Sequence, residues 1–238
     1  HQIPAIMNRT TTLYITLIVL LLLMIVYLDS TKPKEIDWTE TYGITEKKPF
    51  GLYVFDQEKD RVLAPRTIEN MTLTPYEYFE QKDYQDSIQG IVDTSRTFMA
   101  IANDPRIDRE SVKALLRFVG KGNHAFISAK DMPELLLDTL GIKPGLDFQY
   151  KKEVMQWVAN PNLGKQQYVL REGIGSLYFA KIDTLHTTVL GYQSGDTARV
   201  NFIRVPFGNG DFVLHTQPAA FTNVHLLKEK EEIGRASC

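Results

Sequence analysis

A single cysteine, Cys238, is the only thiol in this 238-residue chain. It lies in a C-terminal stretch that reads as non-native, which excludes a secreted fold held together by disulfides, a thiolate metal site and a cysteine nucleophile. Blocks of Lys and Arg interleaved with aromatics are also missing. With 27 Lys and Arg against 29 Asp and Glu, the net charge is −2 and offers no field for nucleic acid. The histidines at 124, 186, 215 and 225 show no H-E-x-x-H spacing and no paired carboxylate, so the sequence implies no metal and no other cofactor. There is no internal repeat and no low-complexity tract. Composition, 43% hydrophobic and 24% charged, is that of an ordinary globular protein rather than a disordered one.

What the chain does have is a long uncharged run, Leu13–Leu28, extended to nineteen residues by Thr10–Thr12. As a helix, nineteen residues cover about 28 Å, close to the hydrocarbon thickness of a bilayer. A buried core helix would keep a polar stripe, and this run has none. A cleaved signal peptide and an uncleaved signal anchor both remain. The exit Asp29-Ser30-Thr31-Lys32-Pro33 lacks the small-x-small pattern of a cleavage site, which favours the anchor. Arg9 before the span and Lys32 and Lys34 after it leave the charge rule ambiguous. Long trailing domains translocate largely regardless of such charges, so the bulk of the chain is expected outside the cytoplasm.

The expected organisation is a short tail over residues 1–9, with translation starting at Met7, a transmembrane anchor over 10–28 and a linker over 29–48. An α/β domain over 49–231 follows, and 232–238 read as a non-native tail, with the natural protein continuing further. Within the domain, Pro49–Leu63 reads as a helix, Thr67–Leu73 as a short strand and Thr74–Glu77 as a helix start. Thr97–Ala102 is an apolar strand. Asp108 then caps a helix from about Arg109 to Val119, with Val112, Leu115, Leu116 and Val119 inward and Gly120 or Gly122 as its stop. A second strand, His124–Ala129, and a second helix, Met132–Leu140, complete a βαβ unit with parallel strands. Strands follow at Lys151–Val158, Tyr168–Leu170, Leu177–Lys181, Thr187–Gly191, Arg199–Val205 and Asp211–Thr216, the last two joined around Asn209-Gly210 as a hairpin. Phe221–Leu227 reads as a helix.

Few motifs carry chemistry. Ser128 sits before a turn, Ser128-Ala129-Lys130-Asp131, that lacks the G-x-S-x-G form of a nucleophile elbow, so its expected role is a helix cap or turn. Gly120-Lys121-Gly122 follows a helix and precedes a strand, the wrong order for gripping a pyrophosphate. Asp56, Glu58 and Asp60 read as a solvated helix face. In an open parallel sheet, ligands sit beyond the carboxyl ends of the strands. That rule gathers Asn103, Asp104, Ser128, Lys130, His215, Gln217 and Asn223 at one edge as a candidate polar pocket or partner-binding edge.

The runs Ile36-Asp37-Trp38-Thr39, Lys48-Pro49-Phe50-Gly51-Leu52-Tyr53-Val54 and Thr74-Pro75-Tyr76-Glu77-Tyr78-Phe79 together form a pattern. Gly122-Asn123-His124-Ala125-Phe126-Ile127-Ser128, Phe207-Gly208-Asn209-Gly210 and Leu214-His215-Thr216-Gln217-Pro218-Ala219-Ala220-Phe221-Thr222-Asn223 continue it. From Met7 to about Glu229 the chain resembles the domain-of-unknown-function family 4350 in its Bacteroidetes membrane-protein form. The resemblance implies an α/β fold of the class I glutamine amidotransferase-like or flavodoxin-like kind. Its sheet would be parallel or mixed, with flanking helices and a C-terminal β-hairpin behind the transmembrane helix. It also implies a second membrane helix downstream, a place at the bacterial inner membrane with the bulk periplasmic, and envelope partners including a MoxR-type AAA+ ATPase. The function expected is a membrane-anchored, non-catalytic binding or scaffold domain held in the bilayer through Leu13–Leu28. The alternative is a hydrolase or transferase with a degenerate amidotransferase-like site using Ser128 or a His/Asp pair.

Overall fold

In a computed structural model, the structure describes residues 9–32, 35–64, 67–89, 96–148, 152–162 and 166–227. The chain divides into two compact units between Asp37 and Trp38. The first is a helix, α1 (Arg9–Ser30), in which no residue is buried. Its 22 residues make it the one helix among the described residues long and apolar enough to cross a membrane, and a signal sequence passes the same test. Hydroxyls close its end: Thr31 Oγ1 donates to Leu28 O at 3.0 Å, and Ser30 Oγ donates at 2.8 Å to the Tyr27 O that Thr31 N also reaches.

The second unit is a mixed α/β domain. Its helices are α2 (Tyr53–Val62), α3 (Pro75–Gln89), α4 (Arg109–Gly120) and α5 (Glu134–Thr139). Its strands are β1 (Thr97–Ala102), β2 (His124–Ala129), β3 (Lys143–Leu146), β4 (Val154–Val158) and β5 (Tyr168–Leu170). They continue with β6 (Leu177–Lys181), β7 (Thr188–Gln193), β8 (Arg199–Phe207) and β9 (Gly210–His215). Seven strands form one sheet in the order β1-β2-β9-β8-β7-β4-β5, and β3 and β6 pair separately. β1, β2 and β9 run parallel, while the other pairs are antiparallel. The expected βαβ unit is therefore present as β1–α4–β2.

α4 forms where its caps and stripe dictate. Asp108 Oδ1 accepts from Ser111 N at 2.7 Å, and Val112, Leu115, Phe118 and Val119 are buried on one side. These pack with Ala125, Ile127, Phe212, Leu214, Ile203 and Leu136 into the main core. Alternation along β2 and β9 turns Ala125, Ile127, Phe212 and Leu214 to that core. Ser128 and His215 take the opposite phase and face the other way.

Local readings differ in four places. Thr67–Leu73 forms no strand; its side chains bond to helices instead, Lys59 Nζ to Asn70 Oδ1 at 3.1 Å and Tyr78 Oη to Glu69 Oε2 at 2.9 Å. Lys143–Leu146 does form one despite Pro144 and Gly145, because it is held against β6. The β8–β9 hairpin turns at Gly208 and Asn209, one residue earlier than the Asn-Gly signal, with Gly208 at φ +59° and Phe207 paired to Gly210. Gly210 cannot be larger, since a Cβ there would lie 1.9 Å from Asn123 O. The expected final helix begins as a 3-10 turn, Pro218–Phe221, followed by helical residues 223–227.

Candidate functional site

β9 lies between β2 and β8, so His215 stands level with Ser128 on one side and Phe202 on the other. Ser128 Oγ is 2.8 Å from His215 Nδ1, and His215 Nε2 is 3.0 Å from Gln156 Oε1 on β4. Asn201 Nδ2, on β8, donates to the same Gln156 oxygen at 2.8 Å. A carbonyl oxygen only accepts, so His215 carries its proton on Nε2 and its Nδ1 accepts the Ser128 hydroxyl proton. Phe202 and Phe221 set their rings edge-on to the imidazole at 5.3 and 5.8 Å. Burial among these uncharged neighbours lowers the His215 pKa to about 4, so the ring is neutral at pH 7.

A second set of buried polar bonds lies beside the first. Gln217 Oε1 accepts from Gly175 N and its Nε2 donates to Gly175 O, both at 2.8 Å, pairing with that backbone as a strand would. Gln217 Nε2 also reaches Gln193 Oε1 at 2.8 Å. Ser128, Gln217 and Thr216 are fully buried, and Gln156, Gln193, Asn201 and His215 nearly so. Polar groups so deep are held by one another, because leaving any of them unpaired costs about 1–3 kcal/mol.

The network borders a cavity of about 560 Å³, a size that suits a small-molecule ligand. Gln156, Asn201 and His215 line it together with Trp157, Phe202 and Phe221. Trp157 is braced by Tyr192 on β7, ring to ring at 6.0 Å and 26°. Ser128 does not line the cavity; it stands on the Nδ1 side of His215.

The seven residues gathered by the strand-end rule thus separate. Ser128 and His215 belong to the first buried set and Gln217 to the second. The expected cap or turn role of Ser128 is replaced by its bond to His215 from inside β2. Asn103 presents its backbone oxygen to the N–H groups of Lys130 and Asp131 at 3.0 and 2.9 Å. Asp104 Oδ1 accepts from Arg106 N at 2.8 Å, supporting its φ of +48°. Lys130 pairs with Glu40 at 2.5 Å. Asn223 serves the segment leading into α2: its Oδ1 accepts from Val54 N at 2.8 Å, and its Nδ2 donates to Glu46 O and Lys48 O at 2.9 and 2.7 Å. Gln156 and Asn201 escaped the sequence reading, although Gln156 keeps the inward phase of Val154 two residues before it. Among the described residues, no three His, Cys, Asp or Glu side chains are grouped as metal ligands.

Residues 74–232 match the family model described as Domain of unknown function (DUF4350). The chain belongs to this family. No curated relative matches the DUF4350 chain by sequence. Among solved structures it is similar to a GH42 beta-galactosidase from G. stearothermophilus, at 14% identity and TM-score 0.36, over 59% of this chain and 22% of that one. A beta-galactosidase from Bacillus circulans sp. alkalophilus is similar at 16% identity and TM-score 0.36, over 58% and 23%. An exo-beta-1,4-mannosidase from Opitutaceae bacterium strain TAV5 follows at 12% and 0.35, over 52% and 21%. The DUF4350 chain spans about a fifth of the length of these enzymes. So partial a likeness assigns neither activity nor ligand.

Proposed function

We propose that the DUF4350 domain is a non-catalytic binding module, tethered by α1 and displayed outside the cytoplasm at a bacterial inner membrane. The observation that carries the reading is the position of Ser128, fully buried and turned from the cavity, while Gln156, Asn201 and His215 face it. A nucleophile needs an open approach and nearby donors for the developing oxyanion. The N–H groups of Lys130 and Asp131, just beyond Ser128, are both committed to Asn103 O. The network therefore acts as a rigid wall for a bound molecule. The family resemblance adds an amidotransferase-like fold, a Bacteroidetes membrane-protein form and an envelope AAA+ ATPase as partner. Co-purification from membranes of the full-length protein tests the last of these, and protease accessibility in spheroplasts tests the tether's orientation.

A second reading, a hydrolase or transferase, has one observation in its favour: the Ser128 hydroxyl is aimed at an unprotonated imidazole nitrogen 2.8 Å away. A fluorophosphonate probe separates the two. The binding module leaves Ser128 unlabelled from pH 6 to 9, whereas covalent labelling that disappears in Ser128→Ala would establish the enzyme.

A further inference from the structure

The wall of the cavity has a definite hydrogen-bonding polarity. Gln156 Oε1 is saturated by His215 Nε2 and Asn201 Nδ2, which fixes the amide so that its nitrogen points away from both. Gln156 is 7% exposed, lines the cavity, and its Nε2 has no hydrogen-bond partner among the described residues. Asn201, 1% exposed, spends Nδ2 on Gln156, and its Oδ1 likewise has no partner among the described residues. Two touching amides thus leave one donor and one acceptor side by side beneath an apolar wall. The donor's orientation follows from Gln156 Oε1 accepting from both His215 Nε2 and Asn201 Nδ2.

Charge narrows the ligand further. No carboxylate lines the cavity, and its one cationic side chain, Arg171, faces Glu153 at 3.5 Å. A cationic ligand would find no counter-charge inside, and an anionic one only Arg171, already shared with Glu153. Trp157, fixed against Tyr192, offers a flat apolar face. Adjacent donor and acceptor groups match a vicinal pair of hydroxyls, each of which both gives and accepts. A trans peptide unit sends its N–H and C=O in opposite directions and cannot meet both groups from one side.

Building on the binding-module reading, we infer that the cavity takes an uncharged sugar residue, with Gln156 and Asn201 holding two neighbouring hydroxyls and Trp157 beneath the ring. Gln156 sets the specificity. Replacing its amide by a carboxylate preserves acceptance from His215 and Asn201 and removes the donor facing the cavity.

The test uses the full chain in detergent, calorimetric titration, and cellotriose, galactobiose, tri-N-acetylchitotriose, trigalacturonate and N-acetyltryptophan amide as probes. At least one neutral oligosaccharide is expected to bind, with trigalacturonate at least tenfold weaker. Gln156→Glu and Trp157→Leu are each expected to weaken the neutral sugar at least tenfold, and Trp157→Leu serves if Gln156→Glu fails to fold. Equal binding of trigalacturonate, or unchanged affinity in both variants, overturns the inference. So does binding of N-acetyltryptophan amide with no sugar bound, an outcome that leaves the binding-module reading standing. Labelling of Ser128 by the fluorophosphonate defeats that reading instead.

Discussion

Lowering the pH from 7 to 5 is predicted to destabilise the domain through His215. Burial lowers this imidazole from its ordinary 6.5 to about 4 in the folded protein. The unfolded chain then binds the extra proton between those values, so stability is complete above pH 6.5 and is lost progressively as the pH falls to about 4. The whole window is worth about 3 kcal/mol, and about 2 kcal/mol of it is gone at pH 5. In a domain of this size, that lowers Tm by about 4–8 °C. Ser128, Gln156, Phe202 and Phe221, the groups against the ring, supply no negative charge to hold an imidazolium. Urea denaturation at pH 7, 6 and 5, on the wild type and on His215→Gln, reads the effect. The wild type should lose about 2 kcal/mol more than the variant between pH 7 and 5. His124 and His186, beside Asp211 and Asp183, are common to both proteins, so the difference between the two curves isolates His215. Parallel pH curves, or an NMR titration placing the His215 ring near 6.5, would refute the reasoning.

Three further substitutions probe the frame around the site. Asn223→Ala removes three hydrogen bonds to the segment 46–54 and should cost about 2–3 kcal/mol by urea titration, with faster protease cleavage between residues 38 and 52. Gly210→Ala drives a methyl against Asn123 O, 1.9 Å away, and should cost about 3 kcal/mol or more, read as a loss of soluble folded protein. Asp108→Ala removes the α4 cap and should lower stability by about 1 kcal/mol, which calorimetry would register as a fall in Tm of about 2–4 °C.

The parts of the fold legible in the sequence are those built from local signals. Apolar runs of six at Thr97–Ala102 and His124–Ala129, with a capped amphipathic helix between them, need no distant partner to be recognised. Lys143–Leu146 carries the opposite signal, a Pro-Gly pair, and becomes a strand only because β6 is present to pair with it. The site follows the same division. The strand-end rule reached Ser128 and His215 because both close parallel strands of the βαβ-type layer. It missed Gln156 and Asn201, which enter from the antiparallel half, where no rule about carboxyl ends applies. It also drew in Asn223, whose amide is consumed by the backbone of residues 46–54 and serves the architecture there.

That lacing of Asn223 to the entry segment sets how the domain responds to force. Tension delivered along residue 38 meets the Glu40–Lys130 pair and the Asn223 amide before it reaches any strand. The buried Tyr42, Phe50 and Leu52, and the bonds from Asn223 and Val224 N–H to Gly51 O and Pro49 O, share that load, so the entry segment shields the seven strands from it.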